Sequence, residues 1–208
     1  MEIDRVFIKL AHGSSASGVV ALRARGDRLQ AITSAELVLD ANQVRLYNSL
    51  KLRIYTEVNE IALVVNELCR HGVHVEEWIP KASHQGMRFD LRVVVIGGEP
   101  QHAVVRMSRS PLTNLHLGNQ RGDLDEIVRE IPQQWEAILN TCRQVMKVYP
   151  RSLYAGIDIA LTADRTSHVV LEANAFGDFL PGITHDGKDT YRAEIDAFDP
   201  PSPSYPHV

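Results

Sequence analysis

Asp158, Glu172 and Asn174 are the residues whose types and spacing point most directly to chemistry. They lie in two apolar runs rich in β-branched residues, 154–161 and 169–174, separated by a polar stretch at 162–168. That pattern predicts a β-hairpin. With the turn centred on Arg165, Asp158 faces Glu172 across the hairpin. Like charges directly opposed on one sheet face repel each other, and a bound divalent cation reverses the sign of that interaction. Side chains alternate along a strand, so Asn174 shares the face of Glu172, and two carboxylates and an amide converge. Their hard oxygens suit Mg2+ or Mn2+ better than zinc.

Other charged positions group around this triad. Asp90 and Arg92 share one face of an apolar run at 89–96, and Arg106 follows on the next run, after Gly97-Gly98. The three form either a surface ion pair, worth little, or an anion site. Residues 13–18, with Ser14 and Ser15 in a stretch of Gly, Ser and Ala, are small enough for backbone N–H groups to approach an anion. They lack the Gly-Lys-Ser/Thr ending of a Walker loop, and a strand follows rather than a helix, so an ordinary hairpin loop is the alternative. Lys9, between Ile8 and Leu10, is a phosphate ligand or a solvated strand lysine. Glu76, Glu77, Trp78 and Ile79, just before Pro80, read either as a strand end at the surface or as a linker whose backbone reads the edge of a flat base.

The elements that must position these groups are mixed. Strands are expected at 6–10, 19–23, 50–55, 73–79, 89–96 and 101–107. A helix capped by Thr56 carries Ile61, Val64, Val65 and Leu68 on its apolar face and stops at Gly72. A second, opened by Pro132, places Trp135, Ile138, Leu139, Cys142, Val145, Met146 and Tyr149 on a core-facing stripe and ends before Pro150. No regular strand-helix-strand cycle is visible, which favours an α+β architecture over a doubly wound parallel sheet.

At 208 residues and 44% hydrophobic, the chain can bury a full core in one large domain or two small lobes. Cys69 and Cys142 lack metal-type spacing and read as thiols in a reducing compartment. No apolar run approaches a membrane span of about 20 residues, so neither a membrane nor a secretory route is expected, and a cytoplasmic location follows. A net charge of −4 offers no electrostatic footprint for nucleic acid. Four prolines among residues 199–208 mark a flexible tail.

Taken in order, these pieces resemble the ATP-grasp superfamily, nearest to the carboxylate-amine ligase branch that includes glutathione synthetase and the ligase adding glutamates to ribosomal protein S6. Lys9 and the loop to Gly18 resemble the family's lysine strand and phosphate-covering loop. Residues 76–79 are similar to its adenine linker, and Asp90-Leu91-Arg92 to its Asp-Ile-Arg strand. Thr113-Asn114-Leu115-His116 with Gly118 resembles its Ser-Asn-Leu-His segment. Gly156-Ile157-Asp158 and Leu171-Glu172-Ala173-Asn174 resemble its paired metal-binding strands.

The resemblance covers roughly residues 5–185. It implies an ATP-grasp fold, two α+β lobes with mainly antiparallel sheets gripping ATP between them. The expected division is an N-terminal lobe at 1–75, a C-terminal lobe at 76–198 and the tail. The implied activity is ATP- and Mg2+-dependent activation of a small-molecule or peptide carboxylate as an acylphosphate, which an amine attacks to give an amide. The alternatives are a kinase of the same fold and a degenerate nucleotide-binding domain.

The resemblance also implies residue roles. Lys9, Ser14 and Ser15 would hold phosphates, Glu76, Glu77, Trp78 and Ile79 adenine, and Asp90 ribose. Arg92, Arg106 and Asn114 would act at the reacting group, and Asp158, Glu172 and Asn174 would hold Mg2+ or Mn2+. Family members usually carry an N-terminal substrate-binding domain, whereas eight residues precede Lys9 here. Either the chain is a piece of a longer protein whose N-terminal substrate domain lies upstream, or that function is missing.

Overall fold

A computed structural model describes residues 4–13, 16–40, 43–175 and 180–199. The chain divides into two compact units. One runs to Pro80 and includes Ser108–Gln120; the other comprises Lys81–Met107 and the chain from Arg121 onward. The expected lobes, 1–75 and 76–198, and these units differ at residues 76–80 and at Ser108–Gln120.

The first unit is a five-stranded antiparallel sheet. In chain order it contains β1 (Arg5–Leu10), β2 (Val20–Arg25), β3 (Arg28–Asp40), β4 (Gln43–Tyr55), helix α1 (Val58–Cys69) and β5 (Val73–Glu77), and the sheet runs β4-β3-β2-β1-β5. Alternation sorts the two faces. Ile8, Val20, Ala31 and Ala35 bury against Ile61, Val64 and Leu68 of α1. Phe7, Ala21, Ile32 and Leu52 belong to a separate cluster with Trp78 and with Leu112 and Leu117 from Ser108–Gln120. The helix begins one residue later than expected, with Glu57 as an extended N-cap that makes no side-chain cap bond.

β3 was not foreseen. A bulge between Thr33 and Ala35 interrupts its pairing with β4, and the buried Thr33, Ser34 and Ala35 run consecutively, so the period-two signal is lost.

The second unit contains β6 (Ser83–His84), β7 (Met87–Ile96), β8 (Glu99–Ser108), β9 (Gln120–Gly122), α2 (Leu124–Glu130), α3 (Pro132–Val148), β10 (Tyr154–Leu161), β11 (His168–Asn174) and α4 (Thr190–Phe198). Its sheet runs β11-β10-β7-β8-β9, with β6 paired to β7. One face carries Phe89, Leu91, Val93, Val105, Ile157 and Ile159, packed with Ile127 of α2 and Ile138, Cys142 and Met146 of α3. The alternate residues Asp90, Arg92, Arg106 and Asp158 take the opposite face. Val94, Ile96 and Val104 of that face pack with Leu180 and with Ala193 of α4. Burial on one face therefore fixes the register of the charged groups on the other.

Two short helices also escaped the sequence reading. Asp123 caps α2 by accepting from the Glu126 amide at 3.0 Å, a cap-and-acid spacing that was available as a signal. α4 turns Tyr191, Ile195 and Phe198 outward and buries only Thr190 and Ala193, so its apolar residues do not mark a core stripe. Among the described residues no helix is long and apolar enough to cross a membrane. The tail at 200–208 lies outside the described residues.

Gly18 closes the loop before β2 at φ +64°, and a Cβ there would lie 2.6 Å from Leu10 Cδ1 and 3.1 Å from Leu68 Cδ2. Gly18→Ala is expected to destabilise the chain by about 1–3 kcal/mol, from the backbone strain and the overpacking together. Urea denaturation measures this, and an unchanged midpoint contradicts the packing described for α1 on β1.

Candidate functional site

β10 and β11 form the expected hairpin. Gly156 pairs with Asn174 and Asp158 with Glu172, after which the register shifts and Ile159 pairs with Val170. On its other side β10 pairs with β7, and Asp158 lies directly opposite Arg92. Asp158 is thus flanked by an anion on one strand and a cation on the other.

The cation dominates. Arg92 holds Asp158 in a two-point grip, Nε to Oδ1 at 2.7 Å and Nη2 to Oδ2 at 2.9 Å. Arg106, from β8, reaches the same carboxylate through Nη2 at 2.9 Å and donates through Nε to Asp90 Oδ1 at 2.7 Å. Lys81 Nζ completes the set on Asp90 Oδ2 at 2.7 Å. At the other end Arg92 Nη2 lies 3.6 Å from Glu172 Oε1, which also accepts from Asn174 Nδ2 at 2.9 Å. Charges alternate in sign along the row Lys81, Asp90, Arg106, Asp158, Arg92, Glu172.

Exposure is graded along this row. The Asp90 side chain is 1% exposed, Asp158 5%, Arg92 13% and Glu172 50%. Only the Glu172 end opens to solvent. The electrostatics follow the same gradient. Burial pushes the Asp90 carboxyl up, but Lys81 and then Arg106 outweigh it and hold it well below the usual carboxylate range. Burial works against the Arg106 charge, and Asp90 and Asp158 more than restore it. At Glu172 burial comes first and Asp158 second, both pushing the carboxyl above its ordinary value. The Asn174 hydrogen bond and Arg92 offset them only in part.

Two guanidinium groups thus supply positive charge beside the opposed carboxylates. Among the described residues no group of three or more His, Cys, Asp or Glu is placed to hold a metal ion. The open end nevertheless fits a hard cation. Glu172 is the under-compensated carboxylate, and Asn174 lies on the same strand face with its amide against it. Rotating that amide by half a turn would present its oxygen in place of its nitrogen. Asp158 uses three of the about four acceptor positions of a carboxylate, leaving capacity for one more partner.

Asp90 was expected at a ribose, but it is the buried counter-ion of Lys81 and Arg106, with both oxygens engaged. Lys9 Nζ pairs with Glu76 Oε2 at 2.6 Å, and Glu76 Oε1 lies 2.8 Å from His74 Nε2. Glu77 is exposed and Ile79 half-buried. Trp78 is a core side chain of the first unit, its ring centroid 5.3 Å from that of Phe7. Asn114 caps the short 3-10 turn Leu115–Leu117, its Oδ1 accepting from the His116 amide at 2.9 Å. Ser14 and Ser15 lie outside the described residues.

Lys81 was not foreseen. Gln85 and Gly86, both at positive φ, turn β6 into β7 and bring the chain back so that Lys81 meets Asp90. A two-residue turn ending in Gly between strand-like flanks was the available signal.

No family model and no curated protein sequence matches the chain. Several solved structures are similar to it. A RiPP-associated ATP-grasp ligase from Chryseobacterium gregarium, in complex with ADP and a leader and core peptide, shares 13% identity over 85% of this chain and 42% of that one, with a TM-score of 0.45. The ATP-grasp ligase PsnB, complexed with a phosphomimetic variant of minimal precursor, Mg and ADP, shares 17% over 86% of this chain and 39% of its own, with a TM-score of 0.40. The macrocyclase MdnC from Microcystis aeruginosa MRC, bound with precursor peptide MdnA, shares 15% over 93% and 46%, with a TM-score of 0.46. The chain spans less than half the length of each. At these values the likeness assigns no role to any residue.

The raised Glu172 carboxyl gives a signed expectation. An acid raised in the fold contributes stability that is fully present below its unfolded value and is lost as pH rises through its folded value. At pH 7 Glu172→Gln is therefore expected to stabilise the ligand-free protein. The gain is up to about 1 kcal/mol on the scale of opposed cross-strand charges, and less where solvent screens the half-exposed group. The gain should shrink as the pH falls through the glutamate range. Melting curves across that range check it, and a destabilised variant at pH 7 contradicts the assignment.

Proposed function

We propose that this chain is the nucleotide-handling part of an ATP- and Mg2+-dependent ligase that activates a carboxylate and joins it to an amine. The observation that supports this reading is the graded row of charges on one sheet face. Two guanidinium groups are held by buried carboxylates, and the row opens at Glu172 and Asn174. Fixed cations in a water-poor setting match charge that develops on a transferring phosphoryl group without reorganising at the moment of reaction.

In the proposed reaction an oxygen of the substrate carboxylate attacks the γ-phosphorus of ATP, the bond to the β-bridging oxygen breaks, and ADP leaves. The amine lone pair then attacks the acyl carbon, phosphate departs with the bonding pair, and the amine proton passes to solvent. Arg92 and Arg106 would stabilise the phosphoryl oxygens and then the tetrahedral oxyanion. Mg2+ would be held by Glu172, Asn174 and the remaining acceptor capacity of Asp158, and when bound it would neutralise phosphate charge. For the first unit the proposal is that Lys9, once released from Glu76, and the backbone at 76–79 bind nucleotide. Substrates would be small-molecule or peptide-borne acids and amines.

A second reading is favoured by the engagement of Asp158 with three N–H donors. In it the row is purely structural, and the domain binds nucleotide without turning it over. A ligand stabilises only the state that binds it, by roughly 2.7 kcal/mol at a hundredfold excess over Kd. The ligase reading predicts that Mg-ATP raises the melting temperature of the wild type, that Glu172→Gln loses most of that shift, and that ADP and an amide accumulate with a suitable acid and amine. Equal shifts in both proteins remove Glu172 from the site. Stabilisation without ADP release across acids and amines supports the second reading, and a stable phosphoester in place of an amide would identify a kinase.

A further inference from the structure

At the turn end of the β10–β11 hairpin, away from Asp158, His84 sits between two glutamates. Its side chain is 10% exposed, with Nδ1 3.2 Å from Glu130 Oε1 and Nε2 3.4 Å from Glu126 Oε2. Glu126 and Glu130 are four residues apart on α2, so they project from one helix face. Nδ1 is within hydrogen-bonding reach of Glu130, whereas Nε2 is buried and makes no hydrogen bond. In a neutral imidazole that donates from Nδ1, Nε2 turns a lone pair toward the Glu126 carboxylate, so acceptor faces acceptor. A proton on Nε2 converts that contact into an attractive pairing of opposite charges at 3.4 Å.

The charge balance around His84 points the same way. Glu130 shares its second oxygen with Arg165 Nη1, and Arg165 Nη2 donates to Ser83 O at 2.7 Å. Two carboxylates thus meet one permanent cation, and a protonated His84 supplies the second. The remaining charged groups nearby are occupied elsewhere. Arg88 pairs across from Ser83 and so takes the other face of the β6–β7 ladder. Asp164 accepts from Thr162 and Thr166, and Arg129 donates to Asp125 O.

We infer that His84 is a proton-operated latch: its protonated ring joins the β6–β7 turn to both glutamates of α2 and, through Glu130 and Arg165, fastens the tip of the β10–β11 hairpin. The tip is where this acts because Arg165, at φ +60°, is the apex from which that hairpin is held. Deprotonation breaks the Glu126 arm and leaves the quartet with an uncompensated negative charge. The latch engages in the interval where a histidine is charged and the glutamates are still ionised. Glu130 extends that interval on the acid side, because its hydrogen bond from Arg165, with His84 adding to it, holds its carboxyl below the ordinary value.

The test uses the full chain and His84→Gln, melted between about pH 8 and about pH 5.5, the range in which a histidine changes charge. The other histidines are common to both proteins, so the difference isolates His84. The wild-type advantage in melting temperature is expected to grow by about 2–4 °C toward the acid end. Hydrogen-exchange protection of the amides of Thr162 and Arg165 should rise with it in the wild type alone. In wild-type NMR spectra the His84 ring nitrogens should both be protonated at the acid end. Parallel melting profiles, or a ring that keeps one bare nitrogen there, overturn the inference. If His84→Gln does not fold, the ring-nitrogen titration of the wild type decides alone.

Discussion

Asp158 is a carboxylate buried to 5% exposure beside a second carboxylate, and the polar face of the sheet is arranged around that one charge. Removing a charge of this size from water costs several kcal/mol even after relaxation, and the cost is recovered only with good geometry and full hydrogen bonding. Arg92 and Arg106 supply both. Neither would suffice alone, since Arg92 also faces Glu172 and Arg106 also serves Asp90. The strand order β11-β10-β7-β8 brings the groups into one row. The apolar alternates on the opposite face, from Phe89 to Ile159, hold the strands in that register.

The row has a direction. Its inner end, Lys81 with Asp90 and Arg106, is sealed and its one carboxylate is held by two cations, so it acts as a rigid mount for the guanidinium of Arg106. Its outer end, Glu172 with Asn174, is half exposed and incompletely compensated. Such a face has little to gain from a free cation, because the guanidinium groups oppose its approach. A cation arriving together with a polyanion is different, since each partner meets a group of the opposite sign.

Much of this arrangement was legible locally. The hairpin and the pairing of Asp158 with Glu172 follow from the spacing of two β-branched runs about a polar turn. The joint placement of Asp90 and Arg92 follows from alternation. What was not legible depended on non-local pairing. Nothing in the run 154–161 says that β7 will lie on its other side and present Arg92 to Asp158. Lys81 enters the row through the turn at Gln85 and Gly86, whose leading strand β6 is only two residues long. Trp78 sits beside acidic residues in sequence, yet it packs on Phe7 from the next strand, which no local pattern shows. Loss of period hid β3, and the outward-facing aromatics of α4 hid that helix.

The central claim is that Glu172 and Asn174 form the end of the row that receives a metal-nucleotide complex. The most direct measurement is NMR of 15N-labelled protein titrated with trace Mn2+, whose unpaired electrons broaden the lines of nearby nuclei. With ATP present, the account predicts selective broadening of the Asn174 side-chain amide and of the Glu172 and Gly156 backbone amides, and much weaker broadening with Mn2+ alone. Sharp Asn174 and Glu172 signals in the presence of Mn2+ and saturating ATP would contradict it.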